Sequence, residues 1–303
     1  MRGIILGACC LLFLTVLTHA QTINIATYNI RYDASSDRVA GNGWDKRSAK
    51  VCGLTEFHGF DIFGAQEVLH HQLDDMLSGL PGYGYVGVGR DDGEKEGEYV
   101  PVFYRKDKFE LIDSGNFWLS PDPSKPSLGW DAACVRMCTW GRFRLREGGK
   151  EFWLFNTHFD HIGKVARRES ARLILSSIRE LTPAGAEVIL TGDFNVNETD
   201  EVFSFITDSP FMEDSYSAAA LKYAWSGTFN AFDTGKAATD RIDYIFVSPG
   251  MNVRRYGVLT DSYRDIGGGE VIRNNDPADE AGFMEPVLRY PSDHFPVMIT
   301  VEF

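Results

Sequence analysis

Eight polar residues of the sequence have side chains that could bind a metal ion and a phosphate. They are Asn29, Glu67, His158, Asp193, Asn195, Asp243, Asp293 and His294. Each alone has a structural explanation, because Asn or Asp at a strand end often caps a turn and an isolated His is usually hydrogen-bonded in the core. Together they offer carboxylates, amides and imidazoles, which suit a hard cation beside a phosphate. The set therefore predicts a metal-assisted phosphoester hydrolase.

Most of these residues stand where an apolar run ends. The segments concerned are 26–31, 64–68, 156–161, 191–195 and 241–245, and a sixth, before the last apolar run, is 291–296. Ligands commonly bind at the carboxyl ends of strands, where the sheet gives way to loops. The two-residue spacing of Asp193 and Asn195 on an extended segment would point both side chains the same way. These patterns predict one site assembled from several strands.

The predicted chemistry needs no covalent nucleophile. In-line attack of water on phosphorus builds negative charge on the equatorial oxygens, and a metal ion with imidazolium and amide donors is suited to receive it. The sequence lacks the G-x-S-x-G, H-E-x-x-H and Walker A patterns. Their absence argues against an esterase, a zinc peptidase and a nucleoside triphosphatase.

The elements that must position these residues are strands and a few helices. Strands are predicted over 23–30, 99–104, 133–145, 151–157, 187–190, 242–247 and 297–303. Helical periodicity is clearest over 164–181, with weaker patterns over 45–58 and 69–80. Gly, Pro and Asp clusters predict loops over 89–98, 120–131 and 265–285. Strands alternating with helices favour two mixed sheets packed together with helices outside them.

Charge limits the partners of the protein. Its 303 residues include 30 Lys and Arg against 43 Asp and Glu, a formal net charge of −13 at pH 7. No Lys- or Arg-rich run is visible, so we expect no stable nucleic-acid complex, although a local basic cleft with bound cations can serve an acidic nuclease. A small or lipid-like phosphoester suits this charge better than a long nucleic acid, and we expect a monomer.

Residues 1–20 have the pattern of a cleavable secretory signal. Arg2 precedes an apolar run from Ile4 to Leu17, and Ala20 precedes the predicted cleavage point. That run is too short to span a bilayer and no later segment is long and free of charge, so no integral membrane segment is expected. We predict one domain over 21–303 in a secreted or periplasmic protein. A lipoprotein cleavage box at 6–9 is the lesser alternative, because it precedes most of the apolar run.

Three motifs in a fixed order resemble the endonuclease/exonuclease/phosphatase superfamily. They are Gln66-Glu67, Gly192-Asp193-Phe194-Asn195 and Ser292-Asp293-His294. The resemblance covers nearly the whole chain after residue 20 and is closest in pattern to the nocturnin- and deadenylase-like branch, in a secreted, bacterial-looking form. It implies a four-layered α/β sandwich of two packed mixed β-sheets flanked by helices. Export and acidity make cytoplasmic messenger RNA an implausible substrate.

The resemblance also implies a metal site. Glu67 would be the main Mg²⁺ ligand, and Asn29 and Asp293 would lie near the same cation or a second one. Mn²⁺ would be able to substitute for Mg²⁺.

Catalytic roles follow from the same resemblance. Asp193 would orient or deprotonate the attacking water, and Asn195 would hold a nonbridging phosphate oxygen. His294 would contact the phosphate, with Asp243 fixing its tautomer. His158 would stabilise the developing charge or assist the leaving group.

Substrate-binding candidates rest on weaker patterns. Arg136 alternates with Cys134 and Cys138 on the predicted strand 133–145, and its fork suits a phosphate oxygen, although an ordinary ion pair explains it equally well. Tyr104 ends a strand where many relatives place a phosphate-contacting tyrosine, and a core aromatic is the alternative.

The other substrate-side candidates follow His158 in the chain. Asp160, His161 and Arg167 would shape the pocket or form a structural network. For Trp44 and Arg47, packing at the start of a helix is the safer interpretation than a place at the pocket entrance.

Three functions remain open at this point. The first is a hydrolase acting on a nucleotide, a nucleic-acid fragment, a phospholipid head group or a sugar phosphate. The second is a noncatalytic phosphate-binding module, which intact Glu67, Asp193 and His294 argue against. The third is a sphingomyelinase-like lipid hydrolase, for which no loop supplies adjacent aromatic residues free of charge.

Overall fold

The computed structural model describes residues 21–266 and 286–303. The predicted signal over 1–20 and most of the predicted loop over 265–285 lie outside the described residues. In the described part of the chain, no helix is both long enough and apolar enough to cross a membrane.

The described residues contain fifteen strands and six helices. The strands are β1 Thr22–Asn29, β2 Ile62–Gln66, β3 Tyr83–Val86, β4 Val102–Arg105, β5 Phe109–Trp118, β6 Met137–Leu145, β7 Glu151–His158, β8 Val188–Asp193, β9 Glu213–Asp214, β10 Leu221–Tyr223, β11 Asp243–Val247, β12 Asn252–Val258, β13 Tyr263–Asp265, β14 Val287–Arg289 and β15 Val297–Glu302. The helices are α1 Ser35–Val39, α2 Trp44–Phe57, α3 His70–Gly79, α4 Lys164–Leu181, α5 Glu201–Thr207 and α6 Ser215–Ala218.

Two large mixed sheets contain most of the strands. The first has the order β10-β12-β15-β1-β2-β4-β3 and the second the order β5-β6-β7-β8-β11-β9, while β13 and β14 form a small separate ladder. Strands β1 and β2 are parallel, as are β7 and β8, and both pairs carry predicted site residues at their ends. Strand β11 runs antiparallel to β8.

Four layers result from burying both faces of each sheet. Ile25 and Ile299 of the first sheet share one apolar cluster with Leu154 and Ile189 of the second. Helices α2 and α3 cover the outer face of the first sheet, and α4 and α5 cover the outer face of the second. Because both faces are covered, the central strands are almost continuously apolar. The predicted four-layered α/β sandwich is confirmed.

Helix α4 matches the predicted span of 164–181. Its buried stripe includes Ala171, Leu175 and Ile178, as the periodicity predicts. The helices predicted over 45–58 and 69–80 are α2 and α3 with ends shifted by one residue.

Strand β6 starts later than predicted, at Met137 instead of residue 133. The carboxylate of Asp160 accepts the backbone N–H groups of Ala133 and Cys134, at 3.0 and 3.2 Å. These donors are therefore not available to a strand ladder. The predicted strand face shared by Cys134, Arg136 and Cys138 is wrong for this reason, since the first two precede the strand.

A buried polar network joins the two sheets beneath the predicted site. The Asn156 amide group donates to the carbonyls of Ala65 and Pro101 at 2.7 and 3.0 Å. Its carbonyl oxygen accepts from Gln66 Nε2 at 2.7 Å and from Thr191 Oγ1 at 3.0 Å. Since all four hydrogen bonds are buried, they fix how the strand ends of one sheet face those of the other.

Candidate active site

Strand ends from both sheets meet above this network. Asn29 ends β1, and Glu67 directly follows β2, its parallel neighbour. In the second sheet His158 ends β7 and lies opposite Asp193, the last residue of β8. Two parallel pairs thus deliver four of the predicted residues to one place.

Asp243 reaches the site in a different way from the one predicted. It is the first residue of β11, not part of a carboxyl-terminal strand end. Because β11 runs antiparallel to β8, its first residue lies opposite Asp193. The expectation that segment 241–245 ends a strand is therefore wrong, whereas the strand predicted over 242–247 is β11 with its start shifted by one residue.

The loop before β15 brings Asp293 and His294. Ser292 Oγ donates to the Asn29 carbonyl at 2.7 Å and so ties this loop to β1. Arg47 is fully buried and donates to four backbone carbonyls, those of residues 30, 31, 42 and 291. Arg47 therefore packs and braces these loops and does not line the pocket entrance, in agreement with the structural interpretation of its position.

Asn29 lies at the centre of the assembled residues. Its Nδ2 donates to Glu67 Oε1 at 3.1 Å and to Asp193 Oδ2 at 3.0 Å, and lies 3.5 Å from His294 Nε2. Its Oδ1 accepts the backbone N–H of Arg31 at 3.0 Å. The amide thus links the two carboxylates, one from each sheet.

The pKa values of the two histidines of the site are shifted in opposite directions. His294 Nδ1 lies 2.8 Å from Asp243 Oδ2, and its Nε2 lies 3.7 Å from Asp193 Oδ2. Burial alone would lower the pKa of His294, but the neighbouring carboxylates, Asp243 first, raise it well above its usual value. His158 lies 3.4 Å from Asp193, and burial together with the Arg136 charge lowers its pKa well below the usual value. These shifts favour the imidazolium form of His294 and the neutral form of His158.

Asp193 and Asp293 are hard to ionise in this surrounding. Burial, and next the charge of Asp243, raises the pKa of Asp193 to about 7. Burial also raises the pKa of Asp293 to about 6, although His294 opposes that shift. An aspartate with a pKa near neutrality is suited to accept a proton at physiological pH. We call Asn29, His158, Asp193, Asp243 and His294 the central cluster.

Glu67 and Asp293 are the residues that best fit a divalent metal ion. The Arg31 guanidinium lies 3.7 Å from Glu67 and 3.6 Å from Asp293, so both carboxylates already face a shared cation. Two carboxylates suit a hard divalent cation, and the Asn29 amide group lies beside Glu67. The buried group of Asp193, Asp243 and His294 also has metal-ligand spacing. It fits less well, because both ring nitrogens of His294 already face carboxylates.

A further group with metal-ligand spacing, Cys134, Asp160 and His161, does not fit a cation. The Asp160 carboxylate accepts backbone N–H groups of Ala133, Cys134, Ile162 and Gly163, and also the Arg136 Nε at 3.3 Å. Burial opposes ionisation of Asp160, but these donors hold its pKa well below the usual range. A carboxylate that already accepts from five donors has little capacity left for a metal ion.

The substrate-side candidates fall into two groups. Arg136 and His161 line the cavity above the central cluster, and Arg136 Nη2 lies 3.1 Å from His161 Nδ1. Asp160 is fully buried behind them, and Arg167 donates to the Asp160 carbonyl at 2.9 Å. Asp160 and Arg167 thus support the cavity wall and do not line the cavity.

Tyr104 lies elsewhere and its prediction is corrected. It is paired with Ile62, at the start of β2, while the site lies beyond the end of that strand. Its ring packs on Phe143, 5.2 Å between centroids. Strand β4 runs antiparallel to β2, so its last residues point away from the site.

Asn195 lies in the cavity, but the extended segment predicted from Asp193 to Asn195 is wrong. Its φ of 52° is left-handed, so the segment after Asp193 is not extended. Its Nδ2 donates to the Phe159 carbonyl at 3.0 Å, and its backbone N–H donates to Asp193 Oδ1 at 3.0 Å. The turn itself therefore holds the Asp193 carboxylate in place.

The cavity has a volume of about 650 Å³ and includes residues that sequence analysis missed. They are Arg31, Tyr32, Asp37, Arg90, Glu98, Phe229, Ala231, Phe232 and Ile242. Most lie on loops, where no periodicity marks a buried face. Of these residues, only Arg31 could have been found from the sequence, because it stands two residues after the predicted site residue Asn29. We call Arg90, Glu98, Arg136 and His161 the loop wall.

The model of the Endonuclease/Exonuclease/phosphatase family matches residues 26–294. The chain belongs to this family. A mannosyl-6-phosphatase from Bacteroides thetaiotaomicron is 45% identical over 93% of this chain and 100% of that chain, with a TM-score of 0.85. Another family member from the same organism is 44% identical over 94% of this chain and 99% of that chain, also with a TM-score of 0.85. The human nocturnin catalytic domain, solved with bound sulfate, is 19% identical over 93% and 94% of the two chains, with a TM-score of 0.65.

These findings confirm the predicted superfamily. The similarity to nocturnin is one of fold alone at this identity. Family members hydrolyse phosphoester bonds and typically depend on a divalent metal, and this family member is an enzyme of that class.

Proposed function

We propose that this family member is a secreted, Mg²⁺-dependent phosphomonoesterase that acts on a sugar phosphate. Support for the substrate class comes from the mannosyl-6-phosphatase that is 45% identical to it over 93% of the chain. Support for a monoester comes from a single feature of the cavity, the Arg136 guanidinium in the loop wall. The two arguments are independent of each other.

Arg136 favours a monoester for reasons of charge. A phosphomonoester carries close to two negative charges at neutral pH and three terminal oxygens, whereas a diester carries one charge and two such oxygens. The Arg136 side chain is only 5% exposed, is held by Asp160, and lines the same cavity as His158 and Asp193. It adds a second fixed cation to the His294 imidazolium, as a dianion requires.

Glu67, Asn29 and Asp293 would hold the metal ion. When bound, the ion neutralises phosphate charge and lowers the pKa of water. The central cluster does the rest: Asp193 accepts the proton of the attacking water, and the His294 imidazolium donates a hydrogen bond to a phosphate oxygen while Asp243 orients its ring. Neutral His158 donates a hydrogen bond from Nε2 to charge that develops beside it, and Asn195 binds a nonbridging oxygen. The ester bond between phosphorus and the sugar oxygen breaks, and that oxygen takes up a proton from solvent water.

The test is hydrolysis by purified protein of mannose 6-phosphate, p-nitrophenyl phosphate, bis-p-nitrophenyl phosphate and a DNA oligomer, each with Mg²⁺, Mn²⁺ or EDTA. We expect EDTA-sensitive turnover with the two monoesters at least tenfold more efficient than the diester. Preference for the diester or the oligomer would overturn the monoester proposal. Turnover unaffected by EDTA would overturn the metal proposal.

Secretion is proposed from residues 1–20, whose pattern is that of a signal peptide. Expression of the full chain and of a chain that starts at Gln21, followed by fractionation, tests it. We expect only the full chain to be exported and shortened by about twenty residues. Retention of both chains in the cytoplasm would contradict export.

A further inference from the structure

The loop wall contains an ion pair that the hydrolysis mechanism does not use. Arg90 Nη1 and Nη2 donate to Glu98 Oε2 and Oε1 at 2.8 and 3.0 Å, a two-pronged contact. Both residues line the cavity, and their side chains are only 14% and 17% exposed. Burial raises the pKa of Glu98 despite this pairing. The two charges are thus kept together in the cavity wall at a cost in desolvation.

The loop that carries the Arg90–Glu98 pair is also closed by other hydrogen bonds. The Arg90 backbone N–H donates to the Glu98 carbonyl at 3.2 Å, and Trp118 Nε1 donates to the Arg90 carbonyl at 2.7 Å. The Asp92 carboxylate also accepts the backbone N–H groups of Glu94 and Glu96, at 2.7 and 3.0 Å, so the loop has contacts that do not involve the Arg90–Glu98 pair. The pair also joins two residues of one loop, so it links no distant parts of the fold.

A strained turn presents aromatic rings to the same cavity. Ala231 and Phe232 have φ values of 53° and 57°, a left-handed conformation that non-glycine residues adopt rarely. The turn is held because Asn230 and Ala231 donate backbone N–H groups to the Asp293 carbonyl at 2.8 and 3.1 Å. Phe229 is 44% exposed, and its ring centroid lies 5.0 Å from that of His294. Consecutive strained residues beside a catalytic group point to a binding role.

We propose that the Arg90–Glu98 pair and the turn of residues 229–232 form a subsite for the leaving group, and that this group is a pyranose. This inference rests on the proposed function. A pyranose has neighbouring hydroxyls and an apolar face of C–H groups. Glu98 accepts from hydroxyls and Arg90 donates to them, at a spacing that their pairing fixes. Phe229 and Phe232 offer apolar ring surface to the C–H face.

The experiment compares substrates that share a phosphate and differ in the leaving group. Mannose 6-phosphate, glucose 6-phosphate, glycerol phosphate and p-nitrophenyl phosphate are hydrolysed by the wild type, Glu98→Gln and Phe232→Leu, all with Mg²⁺. For Glu98→Gln, we expect the ratio of kcat/KM for the hexose phosphates to that for p-nitrophenyl phosphate to fall about tenfold or more, mainly through KM. For Phe232→Leu, the ratio of hexose phosphate to glycerol phosphate should fall.

Glu96→Gln is the matched control, because Glu96 lies on the same loop with an exposed side chain. It should leave all ratios unchanged. Unchanged ratios in both Glu98→Gln and Phe232→Leu would overturn the subsite while leaving the hydrolase intact. A wild type that hydrolyses none of the four compounds would instead contradict the proposed function. Should Glu98→Gln not fold, Phe232→Leu still decides the proposal.

Discussion

The central cluster and the loop wall face one cavity but are built in different ways. The cluster is mounted mainly on strand ends, and Asn29 joins carboxylates from both sheets at 3.0 and 3.1 Å. The loop wall is carried by the segments 89–98 and 133–136 and the turn after β7. Arg90 is paired with Glu98 within the wall, and Arg136 is paired with Asp160 behind it. Under the proposed function, the catalytic groups would lie mainly on strand ends and the groups that select the substrate on loops, which vary more easily than sheets.

The largest effect should come from the cluster. Asp193→Asn preserves the shape of the side chain but removes the base, so kcat should fall by roughly 10²- to 10⁴-fold with little change in KM. Steady-state kinetics with p-nitrophenyl phosphate measure it. Asp208→Asn, an exposed residue at the end of α5, is the control and should retain full activity. A loss of less than tenfold would show that another group accepts the proton.

The second prediction tests the contact of Asp160 that holds Arg136 in the loop wall. Asp160→Asn replaces an oxygen that accepts backbone N–H groups by a donor and leaves Arg136 buried without its carboxylate partner, so the free energy of unfolding should drop by about 3 kcal/mol. Urea unfolding at pH 7 measures this. Asp113→Asn, on the exposed part of β5, should change the free energy little.

The sign of the pH dependence follows from the shift of Asp160. Its folded-state pKa lies below the unfolded value of about 4, so its stabilisation is present above that pH and is lost as the pH falls through the folded pKa. The stability difference between wild type and Asp160→Asn should therefore narrow below about pH 4. A difference independent of pH would mean that packing, not charge, accounts for the loss.

Sequence predicted the cluster better than the wall for physical reasons. Asn29, His158 and Asp193 interrupt apolar runs, and such an interruption is visible in one dimension. Glu98 and Phe232 stand in loops where hydrophobic periodicity carries no information, so only folding reveals that they meet. Asp243 lies between these two cases. A carboxylate beside an apolar run indicated a site residue, but the direction of β11 depends on its long-range pairing with β8.

The same limit explains the errors in the elements. The alternation of strands and helices predicted two packed sheets with helices outside them, and the apolar stripe over 164–181 predicted α4. The late start of β6 depends on Asp160, a residue 27 positions away from Ala133 in the chain. Tyr104 was placed by analogy with relatives, whereas antiparallel pairing with β2 directs it to the far end of the strand.

The third prediction separates specificity from chemistry. Arg136→Lys keeps a positive charge but loses the planar fork, so kcat/KM for monoesters should fall by roughly 10- to 100-fold, in line with the loss of charge-assisted hydrogen bonds. The rate with bis-p-nitrophenyl phosphate should change much less. Arg142→Lys, in the middle of β6 with a side chain that is 38% exposed, is the control. Equal losses for monoester and diester would assign Arg136 to the general chemistry of the cluster.

The last prediction concerns a contact within the cluster. Asp243→Asn leaves the ring of His294 in place but removes the nearest charge that raises its pKa, so that pKa should fall in the metal-free protein. Titration of the His294 ring by NMR measures this directly. Because less imidazolium is then available to the phosphate, kcat should fall on the order of 10- to 100-fold. An unchanged His294 titration would mean that Asp193, 3.7 Å from Nε2, is sufficient to keep the pKa of His294 raised. Asp243 would then orient the ring without contributing to its charge.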